Sequence, residues 1–477
     1  MGRPLIYPTG TTIYNPEKCC NGYTVFGLPQ LGTILIDMNG RPVRYWKDLD
    51  GFPSRILPGG KVMGSRGRRS RAASYQDQLD LVLCGWDGSV EWYFDRMEFC
   101  DDENTTPRYM ARQHHDYQRY GEPVYYVPEA VYPEHPEKTL ILCHKDIRRK
   151  QISPQLLEDD VLIEVNAEGK ILWQWHAADH FLEFNFSETA RNVMYRNPNV
   201  QPCGPEGQGD WLHINCASYL GPNRWYDQGD ERFHPDNIIM DSREAMIMFI
   251  IDHKTGKIVW QLGPDFTASR ELRLLGPIIG MHSAHMIPRG LPGEGNILVF
   301  DNGGWSGYGA PHQTSKIGLK STRRDSSRVI EFDPVTLKIV WQFDAKSMGF
   351  SQLFAEHYFY SPLVSNAQRL PNGNTLIDEG CDGNMLEVTP QGEVVWNYIN
   401  PYIDPARGGS CYRCYRVPYA WIPQLEQPQQ IPLKPLDVKS FQLPGASNPA
   451  LTPEIQATVP GAVPLDSSTP TFCVEKL

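Results

Sequence analysis

The chain has 477 residues, 40% hydrophobic and 21% charged, enough for a large buried core. Its 45 basic and 56 acidic residues give a net charge of −11, which argues against a general nucleic-acid or anionic-membrane role and requires a local cationic site for any anionic substrate. Aromatics at 11%, with 41 glycines and 40 prolines, favour sheets joined by many turns.

Residues 1–8 hold no apolar run of signal length, and Ile6 breaks the myristoylation pattern. No segment approaches the ~18 apolar residues of a membrane span, so a soluble, cytoplasmic chain is expected. From there one unit recurs: an apolar alternating run, an Asp/Asn/Gly turn, and a second run ending on an aromatic. The units end on Trp46, Trp92, Trp173, Trp260, Trp341 and Trp396. Alternation on both sides of a short turn is a hairpin signature. Further strand signals lie upstream, as at Lys61-Val62-Met63, Thr139-Leu140-Ile141-Leu142 and Asn374-Thr375-Leu376-Ile377. A lone hairpin cannot bury its apolar face, but units arranged around an axis can. The expected fold is all-β: a six-bladed β-propeller over residues 1–423, with the tryptophans packed between blades. Tyr23-Thr24-Val25-Phe26 and the segment from Tyr412 to Tyr419 are the candidates for closing the ring.

Long insertions at about 95–135, 176–212 and 220–240 are expected to gather on one face. A short helix is expected from Phe181 to Tyr195. Cys411 and Cys414 form a lone CxxC, read as two thiols or a local disulfide. Residues 424–477 turn rich in Pro, Gln, Ser and Thr and read as an extended or disordered tail whose loss should barely change melting.

Polar groups concentrate beside strand signals in four places: His114-His115-Asp116-Tyr117; Asp210-Trp211-Leu212-His213-Ile214-Asn215; Ser242-Arg243-Glu244; and His282-Ser283-Ala284-His285 followed by Asp301-Asn302-Gly303. Innermost strands of different blades face one axis, so these groups can converge. Strict alternation puts His213 and Asn215 on one side, His282 and His285 on opposite sides, and turns His114 and His115 apart. Neutral imidazole is a nucleophile and general base near pH 7, and Arg243 offers a planar fork for the oxygens of a sulfuryl or phosphoryl group. No Walker-type loop and no GxGxxG after a strand supports nucleotide handling.

At these residues the sequence resembles the arylsulfate sulfotransferase family, propeller enzymes that work without a nucleotide sulfate donor. The matching pieces are His114-His115-Asp116, the Asp-Trp-x-His-x-Asn run at 210–215, Ser242-Arg243, the His-Ser-Ala run at 282–284, Phe300-Asp301-Asn302-Gly303 and Phe359-Tyr360-Ser361-Pro362, in the family's order. The resemblance implies transfer of a sulfuryl group between phenols, with His282 as the transiently sulfated nucleophile. It implies that His213, Asn215 and Arg243 hold the sulfuryl oxygens, with His114 or His115 completing the set. Tyr117, Trp211 and Trp305 are candidate aromatic walls, and His285, Asn302 and Tyr360 are further candidate substrate contacts. No cofactor is expected. The expected partners are a small aromatic sulfate donor and a phenolic acceptor, with no nucleic acid or membrane partner and a homodimer left open.

The sequence departs from the family in four respects. Only some 30 residues precede the first repeat, where better-known members carry a β-sandwich domain and are often exported. Glu244 stands where the family has His, and Cys216 where it has Ser. A second histidine, His285, follows His282 closely. Two other readings compete. One is a metal-dependent lyase or hydrolase binding an ion through His114 or His115, His213, His282 and His285, with Asp116 or Asp301 as carboxylate. The other is a non-catalytic interaction propeller.

Overall fold

The structure is a computed structural model that describes residues 9–28, 31–69, 76–102, 105–201, 208–350, 355–403, 408–435 and 450–464. The N-terminal stretch 1–8 and the end of the tail, 465–477, lie outside the described residues. Six antiparallel sheets surround an axis as a six-bladed β-propeller. From the axis outward, blade two runs Asp50–Leu57, Lys61–Ser65, Leu81–Cys84 and Val90–Phe94. Blade three runs Gln113–Arg119, Thr139–Ile147, Leu156–Val165 and Ile171–His176. Blades four, five and six begin at the axis with Ile214–Tyr219, His282–Met286 and Asn366–Arg369.

The ring is closed from both ends of the chain. Cys414–Val417 supplies the innermost strand of blade one, pairing with Tyr23–Leu28, while Gly10–Tyr14 adds an outer strand to blade six beside Val394–Ile399. The two segments expected to close the ring are thus partners. Side chains stitch the same seam: Asn366 and Gln368 of blade six each make a pair of hydrogen bonds to the backbone of Cys414 and Arg416, at 2.8–3.0 Å.

Burial follows strand position. Innermost strands are buried on both faces, whereas outer strands keep the two-residue alternation, as in Ile171–His176 and Val90–Phe94. The repeat tryptophans sit on these outer strands, and their indole N–H groups donate into the turn of the next blade: Trp46 to Gly85 O, Trp92 to Ala167 O, Trp260 to Pro334 O, Trp341 to Pro390 O and Trp396 to Met38 O, at 2.8–3.4 Å. Blade three differs from the expected pattern. Trp173 stacks on His253 at 4.8 Å, and Trp175, one pleat further along the same face, donates to Gly256 O at 2.9 Å. Each bond contributes about 0.5–1.5 kcal/mol and pins one blade to its neighbour.

The expected helix in the 176–212 insertion forms later than predicted, at Glu188–Arg196, because Ser187 caps it by accepting from Ala190 N–H. The preceding Phe181, Phe184 and Phe186 instead enter the core with Trp211. In the tail, Gln456–Thr458 pairs parallel to Pro42–Lys47 on the rim of blade one, burying Ala457 and Val459.

Candidate functional site

Three of the four polar motifs sit where an innermost strand breaks its alternation, and the fourth, Ser242-Arg243-Glu244, lies at the end of the second strand of blade four. Register shifts fall between Gln113 and Tyr117, between Ile214 and Cys216, and between His282 and His285. His115, His213 and Ser283 take φ values of 52°, 56° and 59°, in the left-handed region unusual for residues other than glycine. Bulges of this kind re-aim side chains, and three adjacent blades use one at the same level.

The bulges overturn two expectations from alternation. His282 faces Phe300 and His285 faces Leu298, so the extra residue puts both histidines on the same side of the strand. His114 and His115 do not turn apart: their Nδ1 atoms are 2.7 Å from each other. His115 then packs edge-on to His213 at 4.8 Å, while His114 stacks on His144 at 3.5 Å. The pair is thereby divided between two neighbouring clusters.

His282 is the best-defined member of the first cluster. Asn302 donates from Nδ2 to Ser361 O and Val364 O at 2.8 and 2.9 Å, which leaves its Oδ1 facing the imidazole. His282 Nδ1 lies 2.8 Å from that Oδ1 and 3.0 Å from Gly280 O. Both are acceptors, so Nδ1 carries the proton and Nε2 carries a lone pair. Nε2 is buried without a hydrogen-bond partner. Burial, then the nearby Arg243 charge, holds the His282 pKa well below its usual value. The ring is therefore neutral, with its Nε2 lone pair fixed in direction.

Around it, His213 donates from Nδ1 to Asp210, and Asn215 donates to Met281 O at 3.0 Å while its buried Oδ1 has no partner. Arg243 is buried and pairs with Glu244, leaving its Nε without a hydrogen bond. Burial first, then His213 and His114, lowers the pKa of His115. Blade one contributes groups that the sequence reading missed. Tyr412 OH donates to His115 O at 3.3 Å and Arg413 bonds Asn215 O and Asp116, while from blade two Phe52 lies 4.5 Å from the His115 ring. The sequence signals for Tyr412 and Arg413 were their place inside the closing segment and between the two cysteines of the CxxC.

Other expected contacts lie elsewhere. Tyr117 is in the core between blades two and three, donating to Pro53 O at 2.8 Å, and Trp211 is buried against Phe181 with its indole on Asp159. Both fill apolar layers between sheets, where a large flat ring gains most from burial. Asn302 acts on His282, as described above. His285 lies at Tyr125, 4.5 Å away, with its pKa lowered to about 4 by burial. Trp305 is half-buried under the Arg323 guanidinium at 4.6 Å, and Tyr360 is half-buried. Cys411 and Cys414 are free, buried thiols.

For metal binding, ligand atoms of three residues approach one another in two groups among the described residues: His114, His144 and Asp160; and Asp77, His144 and Glu158. His213, His282 and His285 belong to neither, so the metal set expected from sequence is not assembled.

A family model described as Arylsulfotransferase (ASST) matches residues 131–401. That span contains His213, Asn215, Arg243 and His282 but neither His114, His115 nor Arg413. No curated protein matches the chain. Among solved structures, a protein of unknown function from Bacteroides caccae is 11% identical over 83% of this chain and 98% of its own, with a TM-score of 0.41. The Dos1 propeller is 10% identical over 84% and 74%, with a TM-score of 0.33. Virginiamycin B lyase from Staphylococcus aureus is 9% identical over 84% and 87%, also at 0.33.

Proposed function

We propose that this chain, which belongs to the arylsulfotransferase family, moves a sulfuryl group from a phenolic sulfate ester to a phenolic acceptor through a sulfated His282. The observation that carries the reading is the His282 imidazole itself: Nδ1–H held by Asn302, Nε2 buried and unpartnered, with Arg243 nearby. In the first half-reaction the Nε2 lone pair attacks sulfur, the N–S bond forms, and the S–O bond to the aryl group breaks with its electrons on the phenoxide. His213, whose Nδ1–H is held by Asp210, gives the leaving oxygen its proton. In the second half the acceptor phenol gives its proton back to that imidazole as its oxygen attacks sulfur, and His282 departs as neutral imidazole. The net reaction consumes no proton.

Arg243 and the neighbouring donors stabilise charge on the three sulfuryl oxygens as sulfur changes partner. Asn302 keeps the attacking lone pair on Nε2, a positioning task. Phe52 and Tyr412 pack on His115 and are better placed to meet a phenyl ring than Tyr117 or Trp211. The Arg243–Glu244 pair distinguishes this site from family members with His at that position.

The test is incubation with an aryl sulfate and no acceptor, rapid quench, and mass spectrometry. One sulfuryl mass on the peptide holding His282 is expected. Turnover with phenol present but no adduct on that peptide would remove the covalent mechanism.

A further inference from the structure

The second half of the histidine pair leads to a different site. His114 turns away from His282 and stacks on His144 of the adjacent strand, ring planes 12° apart. Both rings are buried, and the Nε2 atom of each lacks a hydrogen-bond partner. Asp160 Oδ1 lies 3.4 Å from His114 Nε2 and 3.7 Å from His144 Nε2. We propose that His114, His144 and Asp160 form a binding site for one divalent first-row cation of the zinc class, beside the His282 centre and separate from it.

Three observations support the assignment. The first is spacing. Zinc sits about 2.0–2.2 Å from imidazole nitrogen and carboxylate oxygen, so tetrahedral ligands stand roughly 3.3–3.5 Å apart. The two His–Asp separations are close to that edge, and all three ligand atoms lie within 4.8 Å of one another.

The second is the support behind the ligands. Asp77 Oδ1 accepts from His144 Nδ1–H at 2.6 Å, which leaves the Nε2 lone pair for an ion; carboxylate backing of this kind is usual behind metal-bound histidine. Asp77 itself is engaged by Arg112 at 2.6 Å and Arg69 at 3.2 Å, which makes it a support rather than a ligand. The alternative group of Asp77, His144 and Glu158 is weaker for that reason, since Arg112 also holds Glu158 at 3.1 Å.

The third is charge. Asp160 and Asp210 are buried side by side, and among the described residues no Lys or Arg pairs with either. Buried anions are normally paired or bound to metal. Two imidazoles and one carboxylate suit Zn²⁺ or a neighbouring first-row ion better than Ca²⁺ or Mg²⁺. Drawing both lone pairs to one point requires the stacked rings to splay apart on loading. It also fixes the proton of His114 on Nδ1, so that His114 donates to His115 and His115 carries its own proton on Nε2.

The test uses the full chain, stripped with a chelator and titrated with Zn²⁺ or Co²⁺. One equivalent per chain is expected, with visible Co²⁺ bands of low-coordinate nitrogen–oxygen ligation. His144→Ala and Asp160→Asn should each weaken binding at least tenfold, while His282→Gln keeps the full equivalent. Circular dichroism checks that each variant is folded. Less than a tenth of an equivalent in saturated wild-type protein overturns the site whatever the variants do. So does undiminished binding in folded His144→Ala and Asp160→Asn, or loss of the ion in His282→Gln. None of these readouts depends on sulfuryl transfer.

Discussion

The rim and the axis of this propeller are built on opposite rules. On the rim, every blade repeats one device, an indole N–H satisfied by the next blade's turn carbonyl, and the register shift of each outer hairpin is confined to its turn end. At the axis, alternation is broken by bulges, residues such as His115 and His213 take positive φ, and His114, Asn215, Arg243 and His282 each bury a polar atom without a partner. Each such atom costs about 1–3 kcal/mol and each strained backbone position a similar amount. The difference separates stability from chemistry: the rim carries the surplus that lets the axis hold unsatisfied groups ready for a ligand.

The comparison is broken most directly at His282. His282→Gln should lower sulfuryl transfer by about 10⁴-fold or more while leaving the melting transition nearly unchanged. Steady-state assay with an aryl sulfate and a thermal melt give the two numbers. A large fall in melting temperature would place His282 among the stabilising residues instead.

Arg243→Lys removes the fork and should cost about 2–4 kcal/mol of transition-state stabilisation, read as kcat/KM. Arg243 also sharpens the electrostatic argument. Neutral imidazole is the active form, and burial with Arg243 lowers the His282 pKa, so the acid limb of the rate profile should lie below about pH 6.5. In Arg243→Gln one lowering influence is gone, and the limb should move to higher pH. A limb that does not move would exclude direct electrostatic coupling between the two.

Trp396→Phe acts on the rim device at the seam between blades six and one. It deletes the bond to Met38 O and should cost about 1–3 kcal/mol in denaturant unfolding, with kcat per folded molecule unchanged. A change in kcat would mean that rim and axis are coupled. The smallest effect is expected from deleting residues 450–477. That removes the parallel strand and the burial of Ala457 and Val459, for a loss of about 1–2 kcal/mol. An unchanged melting transition would return the tail to the status of a loose appendage.

The six tryptophan units declared the blade count in the sequence because a hairpin is local: its alternation, turn and anchor lie within about a dozen residues. The ordered motifs likewise brought His213, Asn215, Arg243 and His282 forward as candidates. Local pattern failed where the chain stopped being regular. Period-two counting misdirected His114, His115 and His285, since a single left-handed residue shifts every later side chain to the other face. Aromatic character within the insertions put forward Tyr117 and Trp211 as walls for a substrate ring, and the sheets use both as filling.

What the sequence determined by itself was therefore the repeat and the polar motifs from which candidate groups are drawn. Which groups meet was decided by ring closure and by the bulges. Closure carries Tyr412 and Arg413 from the far end of the chain to His115 and Asn215, and the bulge in blade three sends His114 to His144 and Asp160. The physical reason is range: hydrophobic periodicity is set by neighbours in sequence, whereas the surroundings of a buried imidazole are set by whatever the closed ring packs against it.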